Sequence, residues 1–129
     1  MLSRLPCQIV FDHMGRFPPE TGIAHPAYKM ILGLIDKGRT WVKIGGAYLN
    51  TRIGPPDYPD ATRVAQAFVA AAPERLVWGR DWPHPSEKKY TPDDALLFDL
   101  LARWAPDEAA RNRILVANPE ALYGFSASR

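Results

Sequence analysis

The stretch Leu76-Val77-Trp78-Gly79-Arg80-Asp81-Trp82-Pro83-His84-Pro85 carries the pattern that decides the fold. Its first three residues are bulky and apolar and end at Gly79, which is typical of a short buried strand. Polar residues then follow in a loop that contains two prolines. In parallel α/β sheets, ligands bind at the carboxyl ends of the strands. The stretch therefore predicts a parallel strand with functional residues after it.

Two earlier stretches have the same arrangement. Gln8-Ile9-Val10-Phe11 predicts a buried strand, and Thr40-Trp41-Val42-Lys43-Ile44 predicts another that ends at Gly45-Gly46. Apolar residues at helical spacing predict helices at residues 27–37, 61–72, 92–104 and 106–116, and a short final one from 118 to 124. The order β-α-β-α-β-α-α-α predicts an α/β fold with a parallel sheet covered by helices.

The helix boundaries are predicted from capping residues. Asp60 suits the cap of the second helix, after a loop over 47–60 that three prolines keep irregular. Thr91 suits the cap of the third helix, with Pro92 in its first position.

Three strands are too few for a closed barrel, which takes eight strand and helix units.

Composition excludes some partners and favours one compartment. The 129 residues carry a formal net charge of +2, which is too small to argue for binding nucleic acid or an anionic membrane. No apolar stretch approaches the roughly 20 residues that span a bilayer. A single cysteine, Cys7, forms no internal disulfide and is expected to be a small buried residue. We therefore expect a cytoplasmic protein.

The candidate catalytic residues follow the strands. After the third strand, Asp81 suits a general base, a metal ligand or a residue that caps the amides of its own loop, and His84 is three residues away. After the first strand, His13 suits a residue that polarises a carbonyl, binds a metal or moves a proton, although an isolated histidine is more often structural. His25, before Pro26, is expected to be a loop or capping residue.

Four stretches together resemble one family. They are Val10-Phe11-Asp12-His13-Met14-Gly15-Arg16, Trp41-Val42-Lys43-Ile44-Gly45-Gly46, Trp78-Gly79-Arg80-Asp81-Trp82-Pro83-His84-Pro85 and Asn118-Pro119-Glu120-Ala121-Leu122-Tyr123-Gly124-Phe125. In this order they resemble the amidohydrolase-related TIM-barrel family, and within it the 2-pyrone-4,6-dicarboxylate lactonases. The resemblance implies that residues 1–125 are the C-terminal half of a (β/α)₈ barrel, with 126–129 as a frayed tail.

The resemblance also implies roles for individual residues. Asp81 would take a proton from the attacking water, His13 would polarise the scissile carbonyl, and His84 would support the Asp81 loop or the substrate. A substrate carboxylate would be held by Arg52, with Tyr48 and Arg16 as further candidates. Arginine suits this task because its planar guanidinium makes two parallel hydrogen bonds to a carboxylate.

One departure from the family limits these roles. Relatives begin with a strand that carries a His-x-His pair, and this sequence has none, so the chain is a fragment, a truncated protein or one that needs self-association or a separate N-terminal half. Many relatives bind a divalent metal, which the intact enzyme could share, whereas we predict no cofactor and no tight metal site in this chain alone. The expected function is hydrolysis of a carboxylate-bearing lactone, with a metal-dependent decarboxylase and an inactive remnant as alternatives.

Overall fold

The three predicted strands form one parallel sheet. The structure, a computed structural model, describes residues 2–87 and 91–125. The strands are β1 (Ile9–Phe11), β2 (Thr40–Ile44) and β3 (Leu76–Trp78), and β2 lies between the other two. Ile9 lies opposite Thr40, and Val42 lies opposite Leu76. The parallel pairing that the alternation of strands and helices predicted is thus confirmed.

Five α-helices accompany the sheet in the predicted order. They are α1 (Pro26–Ile35), α2 (Pro59–Ala71), α3 (Asp94–Trp104), α4 (Glu108–Asn112) and α5 (Asn118–Tyr123). The path from α4 to α5 is continuous, because Arg113–Ala117 forms a wider π-helical turn between them. Gly124 ends α5 in a left-handed conformation with φ 71°, as its place in the sequence predicted.

The core lies between one face of the sheet and the helices. Val42 and Leu76 point to this face and are fully buried, and they belong to one cluster with Phe68 of α2 and Trp104 of α3. The Trp104 Nε1–H donates to the Thr62 hydroxyl at 3.0 Å, so its one polar atom is paired. Burying each large apolar side chain contributes about 1.5–3 kcal/mol. This packing holds the strands in register and sets where their carboxyl ends lie.

The first strand is less buried than predicted. Val10 is 36% exposed, and the side chains of Ile9 and Phe11 are half-buried. β1 and β3 are both edge strands of the described sheet, but β3 is covered by the Arg113–Ala117 turn and α5, whereas the main contacts of β1 are with β2. Cys7, predicted to be buried, is exposed because it precedes this edge strand.

Two helices begin elsewhere than predicted. Pro59 opens α2, so Asp60 lies inside the first turn and does not cap the helix. Asp93, not Thr91, caps α3, because its carboxylate accepts a hydrogen bond from the Ala95 N–H at 2.8 Å. The loop over 47–60 is also more regular than predicted, since Ala47–Asn50 forms a 3₁₀ turn.

Two further predictions concern the chain as a whole. No helix within residues 2–87 and 91–125 is long and apolar enough to cross a membrane. Residues 126–129, the predicted frayed tail, lie outside the described residues, so the frayed tail stays a prediction. The cytoplasmic location also stays a prediction.

Candidate active site

The loops after the three strands bring polar side chains to one edge of the sheet. His13 follows β1, Tyr48 follows β2 and Asp81 follows β3. The three strands are parallel, so their carboxyl ends lie at the same edge, where ligands bind in sheets of this kind. These side chains therefore form a cluster where a substrate is expected.

Asp81 is at the centre of this cluster. Its Oδ2 accepts a hydrogen bond from the Tyr48 hydroxyl at 2.8 Å, and its Oδ1 lies 3.7 Å from His13 Nε2. The 3.7 Å distance is longer than a hydrogen bond. A proton on His13 Nε2 can therefore form a hydrogen bond with an oxygen atom of a substrate that binds beside Asp81. The side chains of Asp81 and His13 are 23% and 20% exposed, so solvent and a small substrate can reach both.

His84 lies behind Tyr48 and is almost fully buried, at 3% exposure. Its Nδ1 is 3.0 Å from the Tyr48 hydroxyl, and its Nε2 is 3.1 Å from Asp94 Oδ1. The contact with Asp94 has the length of an ion pair but not the angles of a hydrogen bond, since the buried Asp94 Oδ1 accepts none from the described residues. The Asp94 Oδ2 accepts from Arg80 at 3.0 Å. A chain of polar contacts thus runs from Asp81 to the surface.

Strained backbone marks the same loops. His13, Met14 and His84 have φ values of 50°, 55° and 58°. Non-glycine residues rarely adopt this left-handed conformation, and each such residue costs about 1–3 kcal/mol. Strain of this kind gathers at functional sites, where the surrounding structure holds it in place. The two histidines of the cluster are therefore held in directions that an unstrained loop would not give them.

The glycine pair after β2 is required by the packing. A side chain at Gly45 would overlap the carbonyl oxygen of Gly79 at the end of β3. Gly46 has a φ of 59°, and a Cβ there would lie 2.9 Å from His13 Nδ1. The pair allows the three loops to approach one another, and this is why the strand ends at two glycines.

Tyr48 stays a neutral hydroxyl in this setting. Burial raises the pKa of Tyr48, and so do its hydrogen bond to Asp81 and the negative charges of Asp81, Glu87 and Asp94. An ionised Tyr48 beside three carboxylates would be repelled. The hydroxyl therefore serves as a hydrogen-bond donor to Asp81.

The structure brings together four of the six predicted site residues. His13, Tyr48, Asp81 and His84 form the cluster, whereas the side chains of Arg16 and Arg52 are exposed outside it. The Arg52 Nε lies 3.3 Å from a Glu20 carboxylate oxygen. The roles of all six residues stay predictions.

Sequence reasoning missed two residues that extend the cluster towards the surface. Neither Asp94 nor Arg80 was assigned a role in the site, because their link to His84 spans a loop whose path cannot be predicted. His25 behaves as predicted: it caps α1, and its Nδ1 accepts from the Ala27 N–H.

The described residues do not by themselves fit a metal site. They include no group of three or more histidine, cysteine, aspartate or glutamate side chains placed to hold an ion. A catalytic zinc takes at least three protein ligands.

Comparison with known proteins decides the family. The amidohydrolase family model matches residues 1–125, nearly the whole chain. The chain belongs to the amidohydrolase family. The α/β fold with its parallel sheet is thus part of an amidohydrolase TIM barrel, as the four stretches of sequence predicted.

Several curated members of the amidohydrolase family are similar to this chain. It is 43% identical over 127 residues to the D-galactarolactone isomerase of Agrobacterium fabrum, covering 97% of this chain and 43% of that protein. It is 40% identical over 125 residues to the 4-sulfomuconolactone hydrolase of Hydrogenophaga intermedia, covering 95% and 41%. It is 33% identical over 129 residues to a 2-pyrone-4,6-dicarboxylate hydrolase of Comamonas testosteroni, covering 94% and 42%.

A solved structure has the same fold. An apo crystal structure from Agrobacterium tumefaciens superposes with a TM-score of 0.84 at 43% sequence identity, covering 98% of this chain and 45% of that one. The chain therefore spans less than half the length of the relatives it matches. The predicted likeness to pyrone dicarboxylate lactonases is confirmed, and it now includes other enzymes named for lactones.

Proposed function

We propose that this chain carries the general base of an enzyme that hydrolyses a carboxylate-bearing lactone. The observation that carries the proposal is the position of Asp81, which lies at the strand ends between the Tyr48 hydroxyl and the His13 imidazole. The names of the similar enzymes support the substrate class, because each contains a lactone or a pyrone, which is a cyclic ester.

The proposed reaction divides the work among three side chains. Asp81 takes a proton from water, whose oxygen attacks the lactone carbonyl, while His13 Nε2–H polarises the carbonyl oxygen. Tyr48 keeps the Asp81 carboxylate in one orientation. The ring C–O bond then breaks, and the leaving oxygen takes the proton that Asp81 removed from water. The new carboxylic acid gives its own proton to Asp81, and this is the proton that is finally released. At neutral pH the products are a carboxylate, a hydroxyl group and one released proton.

Recognition of the substrate's carboxylate is assigned to Arg52, with Arg16 as a further candidate. Arg52 is exposed and pairs with Glu20, an exposed contact that is worth about 0–1 kcal/mol. A substrate carboxylate can therefore displace Glu20 at little cost. This assignment rests on the family resemblance and on the exposure of the guanidinium.

The rest of the barrel must come from further strands. A TIM barrel takes eight strands, and residues 2–87 and 91–125 contribute three. In the described sheet β1 and β3 each have a neighbour on one side, and unpaired strand edges attract other strands. We propose that self-association, a separate N-terminal half or further residues of the same protein supply them. Sedimentation velocity would show a defined oligomer, whereas a monodisperse monomer with turnover would contradict this.

Proton release tests the proposed reaction directly. The assembled protein should be tested in a pH-stat with two substrates, 2-pyrone-4,6-dicarboxylate and a saturated sugar lactone. Hydrolysis of either substrate should release one proton per turnover, which the pH-stat measures as base consumed. Asp81→Asn should lower the rate by about 100-fold or more with an unchanged circular dichroism spectrum. The matched control is Asp99→Asn, an exposed carboxylate of α3 outside the cluster. Turnover of Asp81→Asn near the wild-type rate would remove Asp81 from the role of base.

Lactone isomerisation is the second candidate. It is favoured by the 43% identity to D-galactarolactone isomerase. An isomerase moves the ring ester from one hydroxyl to another and releases no proton overall. Conversion of the sugar lactone, seen by NMR, without proton release would therefore favour the isomerase over the hydrolase.

A further inference from the structure

The Tyr48 hydroxyl lies between two acceptors. It is 2.8 Å from Asp81 Oδ2 and 3.0 Å from His84 Nδ1. A hydroxyl has one proton to donate, but its oxygen can accept a hydrogen bond at the same time. Tyr48 can therefore donate to either neighbour, and it can accept from whichever neighbour carries a proton.

The other side of His84 decides which nitrogen carries its proton. Nε2 lies 3.1 Å from Asp94 Oδ1, close enough for the negative charge to act on it although the angles are not those of a hydrogen bond, and a carboxylate offers no proton. The neutral ring therefore places its proton on Nε2, where the negative charge favours it. This leaves the lone pair of Nδ1 towards Tyr48, which makes His84 an acceptor for the Tyr48 proton.

We propose that Tyr48 and His84 form a proton relay that carries a proton from Asp81 towards Asp94. The proposal rests on the proposed function, in which Asp81 takes a proton from water. While Asp81 is a carboxylate, Tyr48 donates to it. Once Asp81 is protonated, rotation of its carboxyl group brings the proton to Tyr48, and this rotation is easy because the terminal torsion of aspartate is broad.

The transfer is balanced at each atom. The Asp81 O–H bond breaks and a bond forms from that proton to the Tyr48 oxygen. The original Tyr48 O–H bond breaks, and its proton bonds to His84 Nδ1. Asp81 returns to a carboxylate, Tyr48 is again a neutral hydroxyl, and His84 becomes an imidazolium that the Asp94 charge stabilises.

The relay moves the proton of hydrolysis from Asp81 to His84, on the side of the cluster that leads to the surface. Asp94 pairs with Arg80, whose side chain is 56% exposed, so the far end of the relay lies at the surface. The loop that carries Asp81 and His84 is held tightly, because the backbone N–H of His84 donates to the backbone carbonyl oxygen of Asp81 at 2.6 Å. The Tyr48 and His84 rings meet edge to face with centroids 5.3 Å apart. His84 is thus a positioning and relay residue that acts on Asp81 through Tyr48.

Nitrogen-15 NMR of the histidine rings tests the relay without substrate. Two-bond correlations distinguish the Nε2–H tautomer from the Nδ1–H tautomer, and His84→Asn assigns the His84 signals. The neutral ring of His84 should be the Nε2–H tautomer. In Asp81→Asn, the new side-chain NH₂ imitates protonated Asp81 by donating to Tyr48. Tyr48 should then donate to His84, which shifts the Nδ1 resonance upfield.

Control variants isolate the relay from other effects. Asp99→Asn, on the same helix as Asp94, should leave the His84 signals unchanged. Adding Tyr48→Phe to Asp81→Asn should abolish the upfield shift, because the bridging hydroxyl is lost. An Nδ1–H tautomer in the wild-type chain would overturn the relay even if the Asp81→Asn chain does not fold. An unshifted Nδ1 resonance in folded Asp81→Asn would overturn it as well.

The result is separable from that of the hydrolysis assay, because the NMR sample contains no lactone. The expected tautomer and shift together with a lack of turnover would contradict the proposed function and leave the proton path in place. Turnover of the lactone together with an Nδ1–H tautomer of His84 would support the proposed function and contradict the relay.

Discussion

The Tyr48 hydroxyl donates a hydrogen bond to Asp81 Oδ2 at 2.8 Å, although the two residues are 33 positions apart in the sequence. The contact joins the loop after β2 to the loop after β3. It exists because neighbouring parallel strands end at the same edge of the sheet. The orientation of the candidate base is therefore a property of the sheet and not of either loop alone.

Alkaline pH should reveal the environment of Tyr48. Burial, the hydrogen bond to Asp81 and the nearby negative charges raise the pKa of Tyr48 above its ordinary value of 10.0. The stability that Tyr48 contributes is fully present below pH 10.0 and is lost as the pH rises further, because the unfolded chain releases this proton first. Urea unfolding should therefore show a smaller loss of stability above that pH in Tyr48→Phe than in the wild type. Equal losses would contradict the buried, hydrogen-bonded hydroxyl.

Asp60 should stabilise the fold except in acid. Burial alone raises the pKa of Asp60, but hydrogen bonds from the Thr51 hydroxyl and from the Arg52 and Ala61 N–H groups outweigh it, so the pKa is lowered overall. Its contribution is present above the unfolded value of 3.8 and is lost as the pH falls through the lower folded value. Asp60→Asn should cost about 1–3 kcal/mol near neutral pH.

Urea unfolding at several pH values measures this contribution. The difference between wild type and Asp60→Asn should narrow below about pH 4, where the carboxylate begins to protonate. The control is Asp57→Asn, which removes an exposed ion pair with Arg103 and should cost about 0–1 kcal/mol. A difference that does not change with pH would show that Asp60 acts through packing and not through its charge.

Gly45 should tolerate no side chain. A methyl group there would overlap the Gly79 carbonyl oxygen, so β2 and β3 would have to separate at the end that carries the cluster. Gly45→Ala should lower the free energy of unfolding by about 1–3 kcal/mol, the usual cost of overpacking. Gly33→Ala is the matched control, because Gly33 lies in α1 with open space around it.

Chemical denaturation distinguishes the two glycines. Gly33→Ala should raise the free energy of unfolding by about 0.5–1 kcal/mol, since alanine favours helix more than glycine does. If Gly45→Ala were as stable as the wild type, the close approach of the two strand ends would not hold in solution.

The sequence predicted the positions of the strands more reliably than the burial of the strands and the capping of the helices. The strands Thr40–Ile44 and Leu76–Trp78 were predicted to the residue, because bulky apolar runs bounded by glycine or proline define such strands locally. The burial of β1 was predicted wrongly, because local composition does not show which edge strand the C-terminal helices cover. The start of α3 was also wrong, since Thr91 and Asp93 are both good caps and the packing chose between them.

The sequence by itself determined the family, the parallel order of strands and helices, and the place of His13 and Asp81 at strand ends. These features follow from local patterns and from motifs in a constant order. Only the tertiary structure decided that Tyr48 and His84 join Asp81, that Asp94 continues the chain of contacts, and that Arg52 turns to Glu20 instead. Such contacts depend on the distances between strand ends and on the strained path of each loop. A one-dimensional pattern carries neither of these.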